Sequence, residues 1–168
     1  MIGGYASSGQ PLASIEALQL SSTPAWKQIA TLQFARAEAT ASVLPDGQIL
    51  DVGGAGDAAG TPRADAELYN PILGTTTILT LRPRRAHTAT VLPDGRVLIT
   101  GGLDANGQPL ASVELFVPET PKAPAGFNAE RPLATARSGH VAIPLCDGTV
   151  LVVGGAPTAE LYTPPVAL

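Results

Sequence analysis

A pair of adjacent glycines recurs four times along the chain at nearly constant spacing. The pairs are Gly3-Gly4, Gly53-Gly54, Gly101-Gly102 and Gly154-Gly155, and they are separated by 50, 48 and 53 residues. A period of this length indicates a repeat architecture, in which each repeat is one supersecondary unit that buries its apolar surface against its neighbours. The repeat constrains the fold more strongly than the local propensity of any single segment.

Each of the last three pairs follows a segment in which two apolar runs flank an Asp-Gly dipeptide. These segments span 41–52, 89–100 and 142–153, and their dipeptides begin at Asp46, Asp94 and Asp147. Asp-Gly between β-branched runs predicts a tight hairpin, because glycine adopts a positive φ angle without steric cost. We therefore predict two antiparallel strands before each of these diglycines.

A polar loop after each diglycine leads to another short strand that carries a glutamate. The loops of the first three repeats span 5–12, 55–63 and 103–110, and residues 9–16 are nearly identical to residues 107–114. An outer fourth strand is represented by 26–29 and 76–79, and prolines blur it after Pro118. Each period therefore predicts a four-stranded antiparallel meander. The repeat glutamates are Glu16, Glu67, Glu114 and Glu160, which follow the second glycine by 12, 13, 12 and 5 residues.

These features resemble the Kelch family. The resemblance rests on the diglycine, the glutamate on the following strand and Trp26 before the next repeat, and segment 87–102 is similar to a blade of the galactose oxidase/Kelch superfamily. It implies an all-β, Kelch-type β-propeller segment of about three and a half four-stranded antiparallel blades, in which the ring is incomplete. The predicted units are a partial blade 1–35, blades 36–83 and 84–136, and a partial blade 137–168, with three, four, four and three strands. The resemblance also leads us to expect Trp26 to pack between blades.

An incomplete ring exposes two apolar blade faces and two unpaired strand edges to water. Two explanations remain open. Either the chain is a piece of a longer protein, or separate chains associate and cover the open ends. We favour the first explanation, with the remaining propeller blades in the same or another chain.

Arginines and histidines stand at equivalent positions just before the first strand of a repeat. In an antiparallel meander this point lies near the diglycines and the loops 5–12, 55–63 and 103–110, which together define a possible binding face. The arginines could form a cationic rim for an anionic ligand, or each could pair with a repeat glutamate and hold neighbouring strands together. We favour the second alternative, because arginine and glutamate recur together once per repeat. The residues concerned are Arg36, Arg84, His87, Arg137 and His140.

The resemblance also suggests a copper site to consider. In galactose oxidase and glyoxal oxidase, a Tyr-His pair at this kind of blade start supplies copper ligands, whereas Ala86 and Gly139 precede the two histidines here. Two histidines are too few for such a site, so we expect them to hydrogen-bond to backbone near the propeller axis. No helix follows the diglycines to bind a phosphate. We therefore predict no metal and no other cofactor.

No pattern of catalytic residues emerges from the sequence. The serines cluster in loops, as in Ser7-Ser8 and Ser21-Ser22, without a G-x-S-x-G turn, and the acidic residues are dispersed. We therefore predict a non-catalytic scaffold that presents loops to a protein or a carbohydrate. The alternative is part of a galactose-oxidase-like or other propeller enzyme whose catalytic residues lie outside this chain.

Composition narrows the remaining classes of partner and compartment. Ten Lys and Arg against 14 Asp and Glu give a net charge of −4, and only two residues are lysines, which argues against a nucleic-acid partner. The sequence has neither a membrane-spanning apolar run nor a signal peptide. The single cysteine, Cys146, leaves the redox compartment undecided. Bacterial relatives of this repeat are often exported, so the resemblance implies a cell-surface location if the chain is part of a larger protein.

Overall fold

The computed structural model describes residues 1–20 and 22–166, which form 13 β-strands and no helix. Ser21, which was predicted to lie in a serine-containing loop, is outside the described residues, as are residues 167 and 168 at the end of the fourth predicted unit. Within the described part of the chain, no helix could cross a membrane.

The strands form four separate sheets in chain order, and every neighbouring pair is antiparallel. The first two sheets contain β1 (Leu12–Gln19) and β2 (Ala25–Arg36), then β3 (Thr40–Val43), β4 (Ile49–Val52), β5 (Asp65–Asn70) and β6 (Thr75–Thr80). The other two contain β7 (Thr88–Val91), β8 (Val97–Thr100), β9 (Val113–Val117) and β10 (Gly126–Glu130), then β11 (Val141–Pro144), β12 (Val150–Val153) and β13 (Glu160–Tyr162). Sheets of two, four, four and three strands confirm the prediction of an all-β, incomplete propeller.

The Asp-Gly dipeptides form the predicted hairpin turns. Gly47, Gly95 and Gly148 have φ angles of +83°, +85° and +84°. In the first of these turns, the Gly47 N–H donates to the carbonyl oxygen of Leu44 over 2.9 Å, and Asp46 Oδ1 accepts the backbone N–H of Gln48 over 2.9 Å. Each hairpin joins the first two strands of its sheet.

The strand count of the first unit differs from the prediction. We expected three strands there, but the first sheet has two, and Ile2 contributes only an isolated bridge to Ile15. Two residues before the diglycine are too few to form a ladder. The described residues therefore hold 13 strands and not 14. In the third sheet, β10 forms despite the nearby prolines, and Phe127 packs on Phe116 with the ring centroids 5.5 Å apart.

Apolar side chains fill the space between consecutive sheets. The central strand of the third sheet, β8, is buried along its whole length, as expected for a strand covered on both faces. Three clusters result, and each contains residues of two adjacent sheets: Ile15, Leu32 and Tyr69; Leu50, Val52, Leu68, Val97, Ile99 and Phe116; Leu98, Leu115, Val150, Val152 and Tyr162. This face-to-face packing fixes where the sheet edges and loops lie.

Trp26 does not pack between sheets, so that expectation was wrong. Its side chain is 59% exposed at the start of β2, where it is paired with Leu18, which is 42% exposed. The apolar cluster between the first two sheets forms further along the strands, around Ile15 and Leu32.

Candidate functional site

The repeat arginine Arg36 connects the first sheet to the second. It is the last residue of β2, and its Nη1 donates to the carbonyl oxygens of Gly53 and Asp65 over 3.0 and 3.2 Å. Its Nη2 donates to the Glu67 carboxylate over 2.8 Å. That carboxylate also accepts the backbone N–H groups of residues 33 and 34 over 2.7 and 2.9 Å. One glutamate of the second sheet therefore binds both the backbone and the side chain at the end of β2.

The same arrangement recurs in the next two sheets. Arg84 donates to Glu114 over 2.6 Å and to the carbonyl oxygen of Gly101 over 2.9 Å. Arg137 donates to Glu160 over 2.5 Å and to the carbonyl oxygen of Gly154 over 3.0 Å. The repeat arginines are all 0% exposed. In the structure, each of these three arginines pairs with a repeat glutamate, which is the second of the two predicted alternatives. None of their guanidinium groups is exposed as a cationic rim for a ligand.

The diglycines lie where the backbone of the next sheet passes close to them. The Gly54 N–H donates to the carbonyl oxygen of Arg84 over 2.9 Å. Gly53 has a φ angle of +58°, and a Cβ atom there would lie 2.5 Å from that same oxygen. The first and third pairs follow the same pattern. The N–H groups of Gly4 and Gly102 donate to the carbonyl oxygens of Arg36 and Arg137. The glycines therefore permit a close approach of the backbone segment that leads from one sheet to the next.

The two histidines bind threonine hydroxyls of the preceding sheet. His87 Nε2 lies 2.8 Å from Thr40 Oγ1, and His140 Nε2 lies 2.9 Å from the hydroxyls of Thr88 and Thr100. The expected backbone partners were therefore wrong, because threonines at the strand ends supply closer groups. Burial is the main cause that lowers the pKa of His87 to about 3 and that of His140 to about 4. Both rings are therefore neutral at pH 7.

The three predicted loops begin beside the strand starts, as expected. Ala55 forms backbone bridges with Ala37 and Pro62, and Leu103 forms them with Arg85 and Pro109. In loops 55–63 and 103–110, an aspartate of the loop accepts backbone N–H groups at the tip. Asp57 Oδ1 accepts the Thr61 N–H over 2.9 Å, and Asp104 Oδ1 accepts the N–H groups of Asn106 and Gln108 over 2.8 Å.

Three side chains that the sequence analysis did not select tie these loops together. Glu38 accepts the Tyr5 hydroxyl through Oε1 over 3.2 Å and Arg85 Nη1 through Oε2 over 2.7 Å. Arg85 also lies over the next loop, because a Cβ atom at Gly60 would be 3.5 Å from its Cζ. We call Tyr5, Glu38 and Arg85 the loop-face cluster. Its members touch loops 5–12, 55–63 and 103–110, the last through the backbone bridge from Arg85 to Leu103.

Comparison with known protein families gives a match to part of the chain. The sequence model described as the Kelch motif matches residues 84–122. Residues 84–122 are thus similar to a Kelch motif. The matched residues include β7, β8 and β9, the ion-paired Arg84 and Glu114, and the diglycine at Gly101. Together with the antiparallel four-stranded sheets, the Kelch match is consistent with a Kelch-type β-propeller. A comparison with curated proteins found no match.

The loop-face cluster is an accessible polar group at the loop end of these sheets. Tyr5 is 45% exposed, and the side chains of Glu38 and Arg85 are 35% and 23% exposed. Partial burial and the Glu38 carboxylate raise the pKa of Tyr5. Glu38 has a φ angle of +52°, which is uncommon outside glycine. The signal that could have identified the cluster is a non-repeating residue directly beside a repeating one, such as Arg85 after Arg84.

A buried carboxyl distinguishes the second sheet from the next two sheets. Asp51 lies on β4 with its Oδ2 3.4 Å from Arg36 Nε, whereas the equivalent residues of the next two sheets are the apolar Ile99 and Val152. Burial raises the pKa of Asp51 to about 7, and Arg36 opposes that shift. The sequence analysis missed this residue, although an acid inside an apolar run is a visible signal.

Metal ligands do not gather at any of these places. Among residues 1–20 and 22–166, no group of three or more His, Cys, Asp and Glu side chains could hold a metal ion. Cys146 is exposed in the hairpin turn of the fourth sheet, and Tyr69 and Tyr162 lie on β5 and β13, within the packing between sheets.

Proposed function

We propose that the chain is a non-catalytic Kelch-repeat scaffold that binds a protein partner through the loop-face cluster and the adjoining loops. The Kelch motif supports a binding scaffold in general. Rigid sheets that carry exposed, variable loops are the usual arrangement for such a role. In this proposal the units 1–35, 36–83, 84–136 and 137–168 are the blades and partial blades of that scaffold.

The observation that carries the proposal is the double hydrogen bond to Glu38. It holds an exposed tyrosine and an arginine at the meeting point of three loops. Tyrosine and arginine are enriched at the centres of protein interfaces, where a few residues supply most of the binding free energy. Side chains that are already held in place lose less conformational entropy on binding.

The loops favour a protein over a carbohydrate as the ligand. Tyr5 is the single aromatic residue in loops 5–12, 55–63 and 103–110. The carboxylates of Asp57 and Asp104 already accept backbone N–H groups of their own loops. The loops therefore offer one aromatic face to stack on a sugar ring, and two of their carboxylates are already engaged. Carbohydrate binding remains a second outcome of the test described next.

A display experiment tests the proposal. A random peptide library is selected against the immobilised 168-residue chain, and an array of glycans is probed in parallel. We expect selected peptides whose affinity falls at least about tenfold with Tyr5→Ala or Arg85→Ala, as for interface anchors. The control is Asp46→Ala, at the hairpin end of β3 and β4, which should change the affinity less than about twofold.

Peptides that bind equally well to the Tyr5→Ala and Arg85→Ala variants would contradict the proposal. Equal loss of binding in the Asp46→Ala control would also contradict it, because the loss would then reflect the fold and not the loop face. Selective binding of a glycan that requires Tyr5 would replace the protein ligand with a carbohydrate.

A further inference from the structure

Three of the four sheets bind their neighbours through one pair of positions. In each of them an aromatic residue stands two positions after the repeat glutamate and is buried. These residues are Tyr69, Phe116 and Tyr162, which are 6%, 0% and 3% exposed. Tyr69 packs against Ile15 and Leu32 of the first sheet. The glutamate and the aromatic residue together dock each sheet on the one before it.

The first sheet has the same pair of positions in Glu16 and Leu18. Leu18 is 42% exposed, in contrast to its three buried counterparts. In the described part of the chain, the Glu16 carboxylate binds the Ser14 hydroxyl over 3.1 Å and forms no ion pair. The backbone of Gly3 and Ser14 beside Glu16 is arranged as the backbone of Gly53 and Asp65 is in the second sheet. The Gly3 N–H donates to the carbonyl oxygen of Ser14 over 2.9 Å, and the Gly53 N–H donates to that of Asp65 over 3.1 Å.

Gly4 gives independent evidence on the same side of the sheet. Its counterparts Gly54 and Gly102 lie against the carbonyl oxygens of Ala37 and Arg85, with built Cβ atoms 2.5 and 2.7 Å away. Ala37 and Arg85 are the residues that directly follow a repeat arginine. Gly4 has a φ angle of +105°, and no atom lies within 4 Å of its built Cβ. Gly4 therefore has the conformation of its counterparts and room for the same approach.

We propose that Gly4, Glu16 and Leu18 form a docking site for an arginine-bearing strand segment of a further Kelch-type blade, contributed from outside residues 1–168. The arginine of that segment would bind Glu16 and the carbonyl oxygens of Gly3 and Ser14. Backbone N–H groups two and three residues before it would bind Glu16, and the carbonyl group after it would lie over Gly4. An apolar side chain of that blade would cover Leu18. This site is separate from the loop-face cluster and does not depend on the function proposed for it.

The chemistry expected of the docked segment is inferred from three complete examples in the same chain, the ion pairs of Arg36, Arg84 and Arg137 with their repeat glutamates. A carboxylate that is flanked by two carbonyl oxygens is complementary to a guanidinium group, which donates several hydrogen bonds in a planar fork. A second copy of this chain does not supply that group, because Arg36, Arg84 and Arg137 are 0% exposed and already paired. The occupant is therefore a segment with its own arginine.

An extended chain tests the proposal. A copy of residues 80–98 is placed directly ahead of Met1, so that the copied arginine stands 17 residues before Gly3, as Arg84 stands 17 residues before Gly101. We expect the melting temperature of the extended chain to exceed that of the unextended chain by about 3 °C or more. Backbone amides near Glu16 and Leu18 should also become more protected from hydrogen exchange.

Two variants of the extended chain test whether the gain in melting temperature comes from the docking site. Replacement of the copied arginine by glutamine and the substitution Glu16→Gln should each remove most of the gain. Glu119→Gln, an exposed acid without an ion pair in the described structure, is the matched control and should keep the gain. If the extended chain does not fold, the copy is added as a free peptide to the unextended chain and the protection of the amides near Glu16 is measured.

Loss of the gain in both variants, with retention in the control, supports the docking site. An extended chain without a gain, or with a gain that survives both variants, overturns it. Concentration-dependent dimers of the unextended chain that Glu16→Gln dissociates would also overturn it, since a second copy would then be the occupant. The loop-face variant Arg85→Ala, which lies away from Gly4, Glu16 and Leu18, should leave all these results unchanged, so failure here is distinguishable from failure of the proposed function.

Discussion

The Arg36 guanidinium and the Glu67 carboxylate form an ion pair 2.8 Å long in which both side chains are fully excluded from solvent. Arg36 belongs to the first sheet and Glu67 to the second, so the pair joins two units of the repeat. A buried charge without its partner is costly, because the interior does not solvate it as water does. The pair therefore specifies how the two sheets meet.

Glu67→Gln should lower the free energy of unfolding by roughly 3 kcal/mol, because the buried Arg36 would lose its shortest ion pair and keep only the longer contacts of 3.4 Å with Asp51 and Asp65. Urea denaturation at pH 7 measures the change. Glu16→Gln is the matched control at the equivalent repeat position, and it should cost less than about 0.5 kcal/mol, since Glu16 has no ion pair in the described residues. Equal losses in the two variants would contradict the assigned role of the pair.

Asp51 should make the protein less stable as the pH rises from about 4 to 8. The unfolded carboxyl has a pKa of about 3.9, whereas burial raises the folded pKa to about 7. Between these values the folded state binds more protons than the unfolded state, so stability decreases as pH increases. Asp51→Asn should remove this decrease and stabilise the chain at pH 8 by a few kcal/mol, as measured by urea midpoints at pH 5 and 8. Parallel pH profiles of the two proteins would refute the prediction.

The two histidines should destabilise the fold in acid. Their folded pKa values of about 3 and 4 lie below the value of about 6.5 in an unfolded chain. The unfolded state therefore binds more protons below pH 6.5, and stability decreases as the pH falls. In an Asp51→Asn background, each of His87→Asn and His140→Asn should reduce the loss between pH 7 and 4.5 by on the order of 2 kcal/mol. Thermal denaturation at several pH values measures this loss. If the variants lose as much stability in acid as the parent protein, the prediction is wrong.

Gly53→Ala should destabilise the fold much more than Gly139→Ala. Both glycines have nearly the same φ angle, +58° and +60°, but the new Cβ at residue 53 would lie 2.5 Å from the Arg84 carbonyl oxygen, whereas nothing lies within 4 Å at residue 139. Moreover, Ala86 has a φ angle of +51° at the position equivalent to Gly139. We expect losses of about 3 kcal/mol or more and about 1 kcal/mol. Chemical denaturation of both variants measures the difference, and similar losses would exclude a steric role for the diglycine.

The hairpins and the repeat were predictable because they depend on local residues. Asp-Gly turns require a positive φ angle that glycine supplies, and the Asp46 and Asp147 turns form as expected. The pairing of Arg36 with Glu67 was also predictable, since the two residue types recur together. The strand expected before the first diglycine was mispredicted, because a strand needs a partner along several residues and Ile2 provides one bridge.

The loop-face cluster was not predictable, because its members come from positions that do not repeat. Tyr5, Glu38 and Arg85 are separated by 33 and 47 residues and meet only because the sheets pack side by side. The exposure of Trp26 and the threonine partners of His87 depended on the same packing. Local pattern identified which positions matter in every repeat, but not which unique side chains surround them.

The sequence by itself determined the period, the antiparallel meander and the positions of the repeat arginines, glutamates and glycines. These follow from turn geometry and from the alternation of apolar residues, which act over a few neighbouring residues. Only the tertiary structure decided that Arg36, Arg84 and Arg137 are buried, that Glu38 joins Tyr5 to Arg85, and that Leu18 is exposed where Tyr69 is covered. Burial and long-range contacts depend on how whole sheets stack, and that stacking is a property of many residues at once.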